Sequence, residues 1–163
     1  GSFVFLWGQK EERTPTWFSM FVENKVEGLP LNGEKTPMVE AMERVWTGTE
    51  LEQTAPVVGQ LTINGISFGP KVKSNTGFDV EVIAADKEGD RLTYVWEVLK
   101  EATVTATGGA YEPRPDRVGK VRTTETGNVR ISIDTPGYYR LYVYVLDHTG
   151  YVSTANIPFA VIE

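Results

Sequence analysis

From residue 56 to residue 163, apolar and polar residues alternate along short stretches of the chain. This pattern indicates β-strands with one buried face, because successive side chains of a strand point to opposite sides of its sheet. Turn-forming pairs such as Asn64-Gly65 and Pro136-Gly137 separate the stretches. The alternating sets are Leu61, Ile63 and Phe68; Phe78, Val80, Val82 and Ala84; Leu92, Tyr94, Trp96 and Val98; Val129, Ile131 and Ile133; Tyr139, Leu141, Val143 and Val145; and Ile157, Phe159 and Val161. Six or seven strands in about 105 residues predict an immunoglobulin-like β-sandwich.

The positions that share strand parity predict a core centred on Trp96. Around it we expect Tyr94 or Leu92, Val80, Val82, Leu141, Val143 and Phe159. Residues 107–125 are rich in glycine, proline and charge, which is typical of a long exposed loop.

The first 55 residues follow a different pattern. Residues 3–7 are a continuous apolar run, which predicts a strand buried on both faces, as in a parallel sheet covered by helices. A helix is predicted from Pro37, with Thr36 as its N-cap and Thr47-Gly48 as its end. Its apolar face would consist of Met38, Met42, Val45 and Trp46.

One buried strand and one amphipathic helix cannot form a domain, because the strand's edges and both its faces need partners. We therefore divide the chain into residues 1–55, the end of a larger domain, and residues 56–163, the sandwich. Residues 3–7 should be covered by the helix and by a partner surface, either the sandwich or a second copy in a homo-oligomer.

Composition and charge exclude several classes of function. The net charge of −6 and the absence of long basic runs argue against a nucleic-acid partner. The chain has no cysteine and one histidine, His148, so disulfides, thiolate zinc sites and multi-histidine sites are excluded. No apolar stretch reaches the roughly 18 residues of a membrane span.

Acidic residues offer few candidates for chemistry. Asp86, Glu88 and Asp90, with Asp147 as a further ligand, are oxygen donors that suit a calcium ion, although acidic turns are ordinary hairpins as well. Glu11 and Glu12 are adjacent carboxylates, which cannot flank a scissile glycosidic bond as glycosidases require. We expect no catalytic residue and no cofactor other than a possible Ca²⁺.

Two stretches of the sandwich resemble PKD-like and related immunoglobulin-like modules. In residues 85–97 an acidic turn precedes Leu92-Thr93-Tyr94-Val95-Trp96, and residues 135–147 run from Thr-Pro-Gly-Tyr through alternating apolar residues to Asp147. The resemblance implies an immunoglobulin-like fold, which hosts many functions.

The first segment resembles the C-terminal end of a glycoside hydrolase (β/α)₈ barrel of the clan containing families 2 and 5. Residues 1–8 look like the eighth strand, residues 11–18 like the loop after it, and residues 36–48 like the last helix. The resemblance implies sugar contacts in the parent enzyme by Trp7, Gln9 and Trp17, and an extracytoplasmic location. The family's catalytic carboxylates come from the fourth and seventh strands, which this sequence does not contain, so the chain alone should be inactive.

Three functions follow from these expectations. The first is a non-catalytic structural module of a glycoside hydrolase that acts on polysaccharide, with the rest of the barrel as its partner. The second is a carbohydrate-binding module that uses an exposed face of Tyr138, Tyr142 and Tyr144, unless these side chains pack under a loop or against the barrel remnant. The third is a protein-interaction domain.

Overall fold

A computed structural model describes residues 1–16, 19–23, 25–104 and 110–163. Within these residues the chain forms one helix, eight strands and the loops that join them. Their bounds are α1 Pro37–Thr47, β1 Val57–Ile63, β2 Lys71–Lys73, β3 Phe78–Ala85, β4 Thr93–Lys100, β5 Arg122–Thr124, β6 Asn128–Ile131, β7 Gly137–Leu146 and β8 Val152–Ile162. The protein is therefore mainly β, as the sequence predicts.

The strands form two sheets with the orders β1-β3-β6 and β2-β8-β7-β4-β5. All described pairs are antiparallel except β2 with β8, which is parallel. This order matches the immunoglobulin arrangement, in which the first, second and fifth strands pair in one sheet and the third, sixth and seventh pair in the other.

Two side chains carry further hallmarks of the immunoglobulin fold. Trp96 lies on β4, the central strand equivalent to C, and is 1% exposed. The hydroxyl of Tyr139, near the start of β7, donates to the carbonyl of Thr135 at 2.8 Å, which is a tyrosine corner. The predicted immunoglobulin-like sandwich is confirmed.

The core between the sheets consists of alternate residues from both inner faces, as predicted. Trp96 lies within it, and its indole N–H donates to Thr124 Oγ1 at 2.8 Å. The cluster includes the predicted Val80, Val82, Tyr94, Leu141, Val143 and Phe159. Phe68 is an exception, because it lies in the loop between β1 and β2 and is 93% exposed.

The predicted loop over residues 107–125 is only partly correct. Residues 122–124 form β5, which pairs with β4 at the edge of the sheet. The described residues before it hold buried Glu112 and make bonds to the sheet through Arg114 and Arg117. Charged composition indicated a solvated loop, but its arginines pair with acidic residues of β4 and of the first segment.

The predicted helix is confirmed with its caps. Thr36 Oγ1 accepts from the Met38 amide at 3.3 Å, and Gly48, with φ +69°, donates to the Arg44 carbonyl at 2.9 Å. Its apolar face is not buried, however, because Met38, Val45 and Trp46 are 46%, 67% and 50% exposed. No helix in the described part of the chain is long and apolar enough to cross a membrane.

The predicted strand over residues 3–7 is absent, although all five residues are described. A strand needs a neighbouring strand for its backbone groups, and none of the strands in the described residues pairs with this segment. Phe3 and Phe5 are 96% and 87% exposed, so the expected covering by α1 is also wrong. A bond of 2.9 Å from the Trp46 indole to Ser2 Oγ connects the helix to the segment.

Residues 19–23 and 25–36 pack on the outer face of the five-stranded sheet. Lys35 forms an antiparallel bridge with Phe21 and a parallel bridge with Tyr151, and the Val152 amide donates to its carbonyl at 2.8 Å. The second hydrophobic cluster combines this segment with β4, β7 and β8, and contains Val22, Leu29, Leu31, Val95, Leu99, Tyr142, Tyr144 and Val152. The five-stranded sheet is thus covered on both faces.

Candidate functional site

A carboxylate lies in the middle of this covered outer face. Glu97 is on β4 directly opposite Tyr142 of β7, and its side chain is 0% exposed. Its neighbour Trp96 points into the core between the sheets, so strand alternation directs Glu97 outwards, between Val95 and Leu99. A carboxylate buried among apolar side chains is costly unless charged donors pair with it.

Two arginines from the loop before β5 supply those donors. Arg114 Nη2 lies 2.6 Å from Glu97 Oε2, and Arg117 Nε lies 2.7 Å from Glu97 Oε1. Arg114 Nη1 also lies 2.7 Å from Glu23 Oε2, and Arg117 Nη1 donates to the Glu27 carbonyl. These bonds connect three parts of the chain: the sheet, the loop and the first segment.

Burial and neighbouring charges shift the pKa of Arg114 and of two buried tyrosines. Burial alone would lower the pKa of Arg114, but the charge of Glu97, with Tyr144 and Glu23, raises it above its ordinary value. Burial raises the pKa of the Tyr144 hydroxyl and that of Tyr142, the latter partly offset by the charge of Arg140. The hydroxyl groups of both tyrosines therefore stay protonated and uncharged.

Glu11 lies at the edge of the same cluster without a donor. Both its carboxylate oxygens are buried, and neither accepts a hydrogen bond from the described residues. Burial raises its pKa to about 7; Arg114 opposes the rise, and the charges of Glu23, Glu112 and Glu97 add to it. A carboxyl group in such surroundings can hold a proton near neutral pH.

We name Glu11, Glu23, Glu97, Glu112, Arg114 and Arg117 the carboxylate–arginine cluster. Four carboxyl groups face two guanidinium groups here, and Glu112 Oε2 also accepts from the Arg13 amide at 2.8 Å. Glu97 is locked beneath the segment by both arginines, so a substrate cannot reach it. The arrangement can therefore bind one part of the chain to another, and it can bind a proton, but it has no exposed acid–base pair.

Trp7 and Gln9 lie along one shallow depression of about 410 Å³, which Glu23 and Asn32 also line. The Trp7 ring is 57% exposed and stacks on Phe21, with ring centroids 6.1 Å apart. Gln9 Oε1 accepts from the Glu23 amide, so it is not a free loop residue. Trp17, the third predicted sugar contact, lies outside the described residues.

The three candidate calcium ligands are not brought together. Asp86 Oδ1 accepts from the Asp90 amide at 2.8 Å, and Glu88 Oε2 accepts from Thr54 Oγ1 at 3.0 Å. Asp147 accepts from the amides of residues 149 and 151 and thus closes its own turn. The described residues contain no group of three or more acidic or histidine side chains arranged to hold a metal ion.

The predicted tyrosine face is not available to a glycan. Tyr142 and Tyr144 are each 1% exposed and share a cluster with Val22, Leu29 and Leu31, and only Tyr138 of the three is open, at 76%. The exposed tyrosine row is therefore wrong, and packing against the first segment, its stated alternative, is confirmed.

Sequence reasoning missed Glu23, Glu97, Arg114 and Arg117. One signal was present: Glu97 interrupts an otherwise apolar run from Tyr94 to Leu99, which is unusual on a sheet face that packs against other residues. Its two partners, Arg114 and Arg117, are 17 and 20 residues away and follow no periodic pattern.

No protein-family model matches the chain, and no curated protein matches it. Among solved structures, the PKD domain of an M14-like peptidase from Thermoplasmatales archaeon SCGC AB-540-F20 aligns with 67% of this chain and 94% of its own, with 15% identity and a TM-score of 0.37. The soluble domain of PmoD from Methylocystis sp. ATCC 49242 (Rockwell) aligns with 70% and 95%, with 13% identity and a TM-score of 0.37. Such similarity bears on no function, and the fold class rests on the sheet order, Trp96 and the tyrosine corner.

Proposed function

We propose that residues 56–163 are a non-catalytic structural module that buttresses the domain to which residues 1–55 belong. The observation that carries this proposal is the burial of Tyr142 and Tyr144 under residues 19–36. A flexible spacer would leave that sheet face to solvent, whereas here it forms a hydrophobic contact with the preceding segment.

The carboxylate–arginine cluster makes this contact specific. A hydrophobic face alone would tolerate sliding, but Glu97 can accept from Arg114 and Arg117 in only one position of the loop. Arg114 reaches on to Glu23 of the first segment, so the same bonds orient the segment on the sheet. We therefore favour a buttress over a spacer.

The parent of the first segment is proposed to be a glycoside hydrolase barrel, exported from the cytoplasm, that acts on polysaccharide. The sequence resemblance of residues 1–48 supports this, and so do large apolar side chains of this part of the chain that remain exposed and that a parent domain could cover. They are Phe3, Trp7, Met38, Val45 and Trp46, each at least 46% exposed. In such a parent Trp7, Gln9 and Trp17 would contact sugar, and this chain alone would hydrolyse none.

Substitutions on the buried sheet face test the buttress. Tyr142→Ala should loosen residues 19–36 while the inner core stays folded, because the ring packs against that segment and not between the sheets. The measurement is amide hydrogen exchange at Val22, whose N–H donates to the Glu34 carbonyl at 3.0 Å. Tyr138→Ala is the matched control, since that ring is exposed and on the same strand.

Free exchange at Val22 in the unaltered protein would refute the buttress. Binding to an insoluble polysaccharide that Tyr138→Ala abolishes would instead favour a carbohydrate-binding module. Turnover of aryl-glycosides by this chain that Glu11→Gln or Glu12→Gln removes would contradict its non-catalytic character.

A further inference from the structure

The two arginines of the carboxylate–arginine cluster are already engaged by acceptors other than Glu11. Both terminal nitrogens of Arg114 are engaged, one by Glu23 and one by Glu97. Arg117 is engaged by Glu97 and by the Glu27 carbonyl. An ionised Glu11 would therefore add negative charge to a site whose cations already serve other carboxylates.

A negative charge on Glu11 would affect the contact between the first segment and the sandwich because of where Glu11 lies. Its oxygens are buried, no described residue donates to them, and the charges that act on them belong to the first segment, to β4 and to the loop before β5. The charged and titratable groups near it come from each of these parts: Glu23 and Arg13 from the segment, Glu112, Arg114 and Arg117 from the loop, Glu97 from β4, and Tyr142, Tyr144 and Arg140 from β7, the last paired with Glu101.

We infer that Glu11 is a pH-sensitive latch, which holds the first segment on the sandwich more firmly when it is protonated than when it is ionised. This inference rests on the proposed buttressing contact and adds a means of regulating it. Ionisation of Glu11 would place a buried carboxylate charge without a donor beside the acids Glu23, Glu112 and Glu97, and the segment would open to return that charge to water.

The direction of the pH dependence follows from the two states. With the segment closed the pKa of Glu11 is about 7, and with the segment open it returns to the ordinary 4.5. Protonation of Glu11 therefore favours the closed state fully below pH 4.5. This contribution decreases as the pH rises and is lost above about pH 7. The difference of 7 − 4.5 = 2.5 would change the opening constant by about 300-fold at most, and we expect about tenfold because Glu11 is only half-buried.

Hydrogen exchange at Val22, Thr36 and Val152 reports on the latch, because their amides bond within the segment or between it and β8. Between about pH 5 and pH 8, after correction for intrinsic exchange, their opening constant should rise about tenfold relative to that of Val143 in the inner core. Glu11→Gln, which mimics the protonated acid, should remove the rise. All forms carry His148→Asn, because this removes the chain's one imidazole and asparagine tolerates the φ of +66° there.

Glu12→Gln is the matched control, because its carboxylate pairs with Lys10 at 3.2 Å and lies outside the cluster. It should keep the tenfold rise. A rise that persists in Glu11→Gln, or that disappears in Glu12→Gln, overturns the latch. The carboxyl carbon of Glu11 can also be titrated by NMR in the protein without either glutamate variant: a midpoint near 7 supports the latch, and one below about 5.5 overturns it.

The latch and the buttress fail in different ways. Segment amides that are protected equally at all pH values remove the latch and leave the buttress in place. Segment amides that exchange freely at all pH values remove both.

Discussion

Replacing Glu97 by alanine removes the acceptor that Arg114 and Arg117 share on the outer face of the sheet. Glu97 is 0% exposed, and it accepts at 2.6 and 2.7 Å from the two guanidinium groups. Removing one partner from a buried ion pair costs about 3–5 kcal/mol, chiefly because the remaining charge is left desolvated. Here the arginine side chains are 22% and 24% exposed and regain some hydration, so we expect a loss of about 3 kcal/mol.

Urea unfolding measures this loss as a lower midpoint at constant slope. Glu97→Gln should cost less than Glu97→Ala, because the amide keeps the shape and one acceptor oxygen while losing the charge. Asp79→Ala is the matched control: its carboxylate also pairs with an arginine, Arg130, at 2.6 Å, but the side chains are 72% and 64% exposed. That control should change stability by less than about 0.5 kcal/mol.

A loss below about 1 kcal/mol for Glu97→Ala would refute the reasoning. It would mean that water reaches Glu97, and hence that residues 19–36 do not cover the outer face as described. The buttress would lose its main support at the same time.

Two further predictions concern the sandwich itself. Trp96→Ala should cost about 3–5 kcal/mol in calorimetric unfolding, because it empties the centre of the inner core, and a loss below about 1 kcal/mol would show that the strand register is wrong. Gly127→Ala should cost about 1–3 kcal/mol and expose the Val82 amide to exchange, since the added Cβ would lie 2.2 Å from the Val82 carbonyl oxygen. Gly59→Ala, whose Cβ would meet its nearest atom at an ordinary 3.4 Å, is the control, and an equal loss there would contradict the steric explanation.

The sequence predicted those parts of the fold that depend on nearby residues. The caps of α1 involve Thr36 and Gly48, which lie within a few residues of the groups they bind. Strand parity placed Trp96 and Leu141 in one core because alternation is a property of each strand alone. The strand predicted at residues 3–7 is wrong for the complementary reason: apolar residues favour burial, but only a neighbouring chain segment can supply the hydrogen bonds of a strand.

The candidate site could not be predicted from such local patterns. Glu11 and Glu12 are adjacent and looked alike in the sequence, yet one lies buried in a cluster of acids and the other pairs with Lys10. The difference comes from Glu97 and Arg114, which lie far along the chain from Glu11; the bond between Arg114 and Glu23, for example, joins residues 91 positions apart. No local pattern encodes contacts at that separation.

The covered outer face, however, did leave a trace in the sequence. β3, in the three-stranded sheet, alternates between buried and exposed residues, but β4 is buried without interruption from Tyr94 to Leu99. β7 is likewise buried from Leu141 to Val145. A continuous apolar run in an antiparallel sandwich indicates that both faces of the sheet are covered. The tyrosines of β7 are therefore better interpreted as buried residues than as a binding surface. The single acidic residue in the run of β4 needs charged partners, which other parts of the chain must supply.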